Sequence, residues 1–200
     1  MKIRKYGQWD ELRRILNTLP KRIPVAMRRA INAEAQSLRT HIIKNISSGG
    51  THAGKPFAPL SAATIVIRKF TGFSGTKPLN VTGGLRAQVS VVNYAGGAFI
   101  GIKRGAPHKS GVANLAFVHE FGATMNVNKT RKMIRFLAAA FRAAGQEFGS
   151  GGSGKATITI RIPPRPFVGP VLEKYARPGD IIDRFWSRVS AQLAGDLGRP

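Results

Sequence analysis

Residues 23–46 read IPVAMRRAINAEAQSLRTHIIKNI, with Ile23, Met27, Ile31, Ala35, Leu38, Ile42 and Ile46 at steps of three and four. That spacing keeps apolar side chains on one face of a helix for about six turns. Arg28, Arg29, Arg39 and Lys44 are distributed around the rest of the axis. Upstream, residues 8–19 (QWDELRRILNTL) repeat the pattern on Trp9, Leu12, Ile15, Leu16 and Leu19 and predict a shorter amphipathic helix. Pro20 and Pro24 are expected to punctuate the chain between the two. The long helix is expected to stop at SSGG, residues 47–50.

Beyond it, THAGKPFAPL has the composition of an ordered loop, and Ser61 reads as the N-cap of a short helix AATIVIRKF. The run Ile65-Val66-Ile67 is equally compatible with a strand. A Thr-Gly-Gly break at 82–84 precedes two stretches, about 87–93 and 97–103, that read as strands joined by a tight turn at Ala95-Gly96-Gly97. Residues 112–121 predict a short helix ended by Gly122, and 129–144 another with Met133, Ile134, Leu137, Ala140 and Phe141 on one side. GSGGSG at 149–154 is a mobile loop tip by composition. TITIRI (157–162) alternates as a strand, and PPRPF forces an extended exit from it. A last helix opens at Pro178-Gly179-Asp180, with Ile181, Ile182, Phe185, Trp186, Val189 and Leu193 expected to face inward. The fold class that follows is α+β in a single domain over 1–200. A long N-terminal helix and a C-terminal helix pack on one small antiparallel sheet, from which a helical insertion with a glycine-rich loop, about 123–156, projects to meet a neighbour.

The composition narrows the function. The chain has 200 residues, 32 Lys and Arg against 9 Asp and Glu, a formal charge of +23 and 42% hydrophobic residues. The apolar fraction argues against disorder, and the positive field implies a polyanionic or acidic partner. There is no cysteine, which excludes disulfides and thiolate chemistry. The sparse acids form only two local pairs, Asp10-Glu11 and Asp180-Asp183, each suited to the first turn of a helix. His41, His52, His108 and His119 are isolated in the sequence, and Glu120 beside His119 points about 100° away on a helix. No catalytic residue, metal site or cofactor is therefore expected. The basic residues are dispersed over every segment, which predicts a generally positive surface without a base-reading element. Residues 1–24 carry charges throughout and lack an apolar run, so neither a secretory signal nor a membrane span is expected.

Several short motifs also occur in a fixed order. They are Phe57-Ala58-Pro59-Leu60-Ser61 with Thr64; Leu79 with Thr82-Gly83 and Leu85-Arg86; Gly101; Ala116 with His119-Glu120-Phe121-Gly122; and Ile162-Pro163-Pro164-Arg165-Pro166-Phe167. This order resembles the tail completion or neck (head-tail joining) proteins of long-tailed bacteriophages, and within them the Mu-like virion morphogenesis proteins. The likeness covers roughly residues 23–190; the long connection between Gly122 and the strand at 157 departs from it. In physical terms Gly83 and Gly122 suit positive φ at a turn and a helix end. Phe121 and Phe167 suit anchors at the ends of the sheet, and Arg86 and Arg165 suit pairing with acids of a neighbour. The resemblance implies a non-enzymatic virion component that forms a ring of six copies at the head-tail junction, after assembly in the host cytoplasm. Its implied partners are itself, the head connector or adaptor, the tail terminator or tail tube, and packaged DNA held non-specifically in the lumen. A tail terminator within the same reading, and a basic nucleic-acid-binding protein outside it, are the alternatives.

Overall fold

The computed structural model describes residue 7 and residues 9–102, 112–147 and 157–197. The first element, α1, runs unbroken from Trp9 to Ser48, about 60 Å, and contains both Pro20 and Pro24. The expected break is therefore absent. The two prolines lie one turn apart on an exposed face, so the carbonyls of Leu16 and Pro20, which lose their usual donors, stay within reach of water. The helix ends as predicted at two glycines, Gly49 and Gly50, with φ of 74° and 95°.

The C-terminal helix α7, Pro178–Leu197, packs along α1, where Val189 meets Ala26 and Ala30 with Met27, Phe185 and Leu193 around them. Small alanines let the two axes approach closely, and α7 buries Val189 fully and Ile181, Phe185 and Leu193 of the same row in part. Ile182 and Trp186, expected inward, are more than half exposed because their row is rotated about 100° from that one. The pairing is fixed by Glu34 on α1, which is buried and accepts from Arg184 Nε at 3.1 Å and Arg188 Nε at 2.7 Å.

The other elements are α2 (Ala62–Phe70), α3 (Gly84–Gln88), β1 (Val89–Tyr94), β2 (Gly97–Ile102), α4 (Val112–Phe121), β3 (Ala123–Asn128), α5 (Arg131–Ala143), β4 (Thr157–Ile162) and α6 (Gly169–Tyr175). The fold is α+β, as the change of apolar period implied. The strands, however, form two separate antiparallel ribbons in place of one sheet. β1 pairs with β2 over α1, with Val92 opposite Phe99, and β3 pairs with β4, with Met125 opposite Ile160. β4 has its own partner in ATMNVN, so it does not join the hairpin. Residues 87 and 88 belong to α3, which shortens the first predicted strand.

α5 caps at Thr130 and rests on α2, with Phe136 edge-to-face against Phe70 at 5.6 Å and Ala140 buried. Part of its apolar side is thus used within the chain, while Ile134 and Phe136 stay 40% exposed. The loop tip expected at 149–154, the end of the strand predicted to 103, and His108 lie outside the described residues. The main core gathers Ile42 and Ile46 of α1 with Phe57, Leu85, Val89, Ala116, Phe167 and Val171. No described helix is long and apolar enough to cross a membrane.

Candidate functional site

The ordered motifs, far apart in sequence, meet in one joint beside the C-terminal half of α1. Its axle is the strand exit 162–168. Phe167 is 2% exposed in the core, and its carbonyl accepts from Asn45 Nδ2 at 3.2 Å while Asn45 Oδ1 accepts from the Ala53 N–H at 3.0 Å. Asn45 is wholly buried on α1; it stands three residues after Ile42 and seven after Leu38, on the apolar side of the helix, where the apolar period marks only the hydrophobic residues.

Glu120 does structural work. Its Oε2 accepts from the N–H groups of Phe167 and Val168 at 2.8 and 3.1 Å, and its Oε1 from Gly169 at 2.8 Å. These are the donors that the start of α6 leaves without helical partners, and a carboxylate is the group that suits them. The neighbouring His119 carbonyl accepts from the Arg165 N–H at 2.6 Å, so the end of α4 is stitched to the strand exit by side chain and backbone together. Gly122 follows with φ 77°, and a Cβ there would come within 3.0 Å of the Ile162 carbonyl and Pro164. Gly83, at φ 72°, precedes α3 as its turn requires. Both glycines fulfil the sequence expectation.

The arginines and aromatics divide. Arg165 is 6% exposed and donates from Nε to the Ala58 carbonyl at 2.7 Å and from Nη2 to the Pro59 carbonyl at 2.9 Å. Instead of projecting to a neighbour, it pins the loop that carries Phe57, Pro59 and Leu60. Arg86 is exposed and its Nη1 reaches Ser47 Oγ at 3.3 Å. Phe167 is the buried anchor, whereas Phe121 is 67% exposed, tilted against Phe117 at 4.8 Å, and anchors nothing in the core. Their different fates follow from position: Phe121 ends α4 on its outer side, and Phe167 enters the core from the strand exit. Thr64 closes the first turn of α2, its N–H donating to Ser61 Oγ at 3.2 Å. Pro163 sits exposed in the extended exit.

Leu60, Leu79, Thr82, Leu85, His119 and Arg165, six of these motif residues, line a half-open cavity of about 150 Å³ together with Arg68, Val81, Gly84 and Leu115. Leu79 holds φ 61°, the one non-glycine residue in that region among the described residues. Arg68 Nη1 donates to the carbonyls of Gly75 and Lys77 at 3.0 and 2.9 Å. His119 Nδ1 is buried without a hydrogen-bond partner. Burial first, then the positive charges of Arg165 and Arg68, push the His119 pKa below its ordinary value.

A second cluster joins two histidines that look isolated in the sequence. His41 Nδ1 and His52 Nε2 share a hydrogen bond at 2.9 Å, and the His41 ring stacks on Tyr175 at 3.9 Å. Desolvation and neighbouring cations, Lys44 and Lys174 for both rings and Arg184 for His41, lower the pKa of both. Among the described residues, no three His, Cys, Asp or Glu side chains are grouped so as to hold a metal ion. Set against protein-family models, curated proteins and solved structures, the chain matches none.

Proposed function

We propose that the chain is a non-enzymatic component of a long-tailed phage particle, of the tail completion or neck class, that assembles as a ring of six between the head connector and the tail. The observation that carries the reading is the distribution of apolar surface around a small joint. Among the described residues, large hydrophobic side chains that are exposed outnumber those that are buried. They are spread over most elements and include Trp9, Leu12 and Leu16 on the part of α1 that precedes its first buried residue, Ala26, and Met125 and Ile160 on the β3–β4 ribbon. A two-stranded ribbon without a covered face is marginal alone, and apolar patches of this kind serve interfaces. The motif residues meanwhile build the joint itself: the carboxylate of Glu120 and the guanidinium of Arg165 are occupied by backbone groups.

The charge of +23 per copy suits an acidic neighbouring ring or DNA passing through the lumen. It also favours a second reading, a basic nucleic-acid-binding protein. The test mixes the purified chain with isolated head connectors, counts copies by electron microscopy, and measures binding to duplex DNA across salt. Rings of six seated on connectors are expected. Absence from mature particles, or a stable dimer at the junction, overturns the proposal. Tight DNA binding whose log K falls by about 0.9 per phosphate contact as log salt rises, without ring formation, establishes the second reading in its place.

A further inference from the structure

We propose that the cavity lined by Arg68, Arg165, His119 and Thr82 is a receptor for a carboxylate, supplied by an acidic side chain of a second copy of this chain or by a free small carboxylate. The inference stands on the cavity alone and is independent of the neck reading.

Size sets the class of ligand. A volume of about 150 Å³ holds about five waters at their liquid share of about 30 Å³ each, enough to take in a carboxylate on a short stem, whereas a nucleotide would stand largely outside it. The lining is divided accordingly. Leu79, Val81, Leu85 and Leu115 offer apolar contact to methylenes, and the polar groups on the same wall are two guanidiniums, an imidazole and a hydroxyl.

Charge sets the sign. Among the described residues no acid lines the cavity, and the hydrogen bonds of Arg68 and Arg165 go to neutral carbonyls of Gly75, Lys77, Ala58 and Pro59. Neither arginine forms an ion pair among the described residues. Each keeps N–H donors beyond those bonds, since a guanidinium carries five. The nearest acid in sequence, Glu120, has both oxygens engaged by the start of α6. Arg165 is buried and feels the positive charge of the partly exposed Arg68, an arrangement that an anion between them relieves. Planar guanidiniums pair with a carboxylate in a forked geometry that a phosphate can also adopt; the leucine and valine side chains of the lining favour the anion that carries an apolar stem. The His119 ring lines the same cavity, and a protonated imidazole there adds a third positive charge for an anion to meet.

Binding is then coupled to protonation. Burial first, and then Arg165 from the strand exit and Arg68 from α2, the cationic groups that face His119, lower its pKa. A bound carboxylate reverses that field, so it raises the His119 pKa, and affinity increases as the pH falls from 7 towards 5.5.

The experiment follows the imidazole signals of the full-length ¹⁵N-labelled chain by NMR, with His119 assigned through its loss in His119→Gln. Sodium acetate is titrated against sodium chloride at equal ionic strength. A saturable shift of the His119 signal with acetate alone is expected, with its titration midpoint rising by about one unit. Arg68→Gln and Thr82→Val are each expected to weaken the acetate response about tenfold or more, and unchanged His41 and His52 signals show that each variant is folded. Equal responses to acetate and chloride overturn the proposal, as does a response to inorganic phosphate at lower concentration than acetate. Sedimentation identifies the source. Acetate that dissolves self-association where chloride does not marks an acidic side chain of a second copy, and a His119 response with unchanged sedimentation marks a free carboxylate.

Discussion

The side-chain amide of Asn45 donates to the carbonyl of Phe167 across 122 positions of sequence, at 3.2 Å and without contact with solvent. Through Oδ1 the same residue holds the Ala53 N–H, so one buried polar side chain joins the end of the long helix, the turn after it and the strand exit. Asn45→Ala leaves both backbone groups without their partner and opens a small void. The expected cost is about 2–4 kcal/mol, read as a lower urea midpoint with unchanged slope. Asn45→Leu is expected to fill the space without recovering that loss.

Glu120 is expected to matter for stability alone. Glu120→Ala removes a charged acceptor from three N–H groups at the start of α6 and should destabilise the fold by about 3 kcal/mol; Glu120→Gln, which keeps the shape, should cost about half as much. Urea denaturation of the two variants checks the order. Equal stability of Glu120→Ala and the parent chain would sink the capping role.

At Gly122 two penalties add, the left-handed φ of 77° and a Cβ pressed to 3.0 Å against backbone of the strand exit. Gly122→Ala is expected to lower stability by about 2 kcal/mol or more. Gly145, with φ 67° and open space around the position, provides the control, and Gly145→Ala should cost about 1 kcal/mol. Thermal melts of the pair separate conformational strain from steric conflict.

Stability should fall on mild acidification. His41, His52 and His119 all have folded pKa values below the ordinary 6.5, so between those values and 6.5 the unfolded chain binds more protons than the native one. Stability is therefore complete above about pH 6.5 and declines as the pH falls through that window, above the ordinary range of carboxylates. Urea midpoints at pH 7.5 and 5.5 measure the drop. The double variant His41→Gln, His52→Gln should flatten it.

Much of the fold was legible because period survives in a single sequence. The apolar steps from Ile23 to Ile46, the turn at Ala95-Gly96-Gly97 and the cap at Ser61 all became the elements they implied. β3 was missed although Ala123, Met125 and Val127 do alternate with Thr124, Asn126 and Asn128: polar residues dominate a strand that has no buried face to enforce the pattern. Pro20 and Pro24 misled in the opposite sense, since a proline signals the loss of a bond and says nothing about the packing that carries a helix through it. In the joint, the order of the motifs was visible but their partners were not. The three N–H groups held by Glu120 lie 47 to 49 residues away, and nothing local distinguishes the buried Phe167 from the exposed Phe121.

The prolines of α1 lend themselves to a direct measurement. In a helix interior each replaces a better former at about 3 kcal/mol, part of which the exposed site relieves. Pro20→Ala and Pro24→Ala should each raise the thermal midpoint and increase far-ultraviolet ellipticity at elevated temperature. A lowered midpoint for both would mean that the rings make contacts worth more than the missing bonds.

Mechanically, the same two residues make α1 a rod of uneven stiffness. Residues 26 to 48 are clamped by α7 and the core, while Trp9, Leu12 and Leu16 stand on the far side of a stretch where two consecutive rungs of the backbone ladder are gone. A sideways load on the tip is absorbed as bending at that stretch before it reaches Ala26. The tip can therefore swivel to fit whatever covers its apolar stripe, and the joint built around Phe167 keeps its shape while it does so.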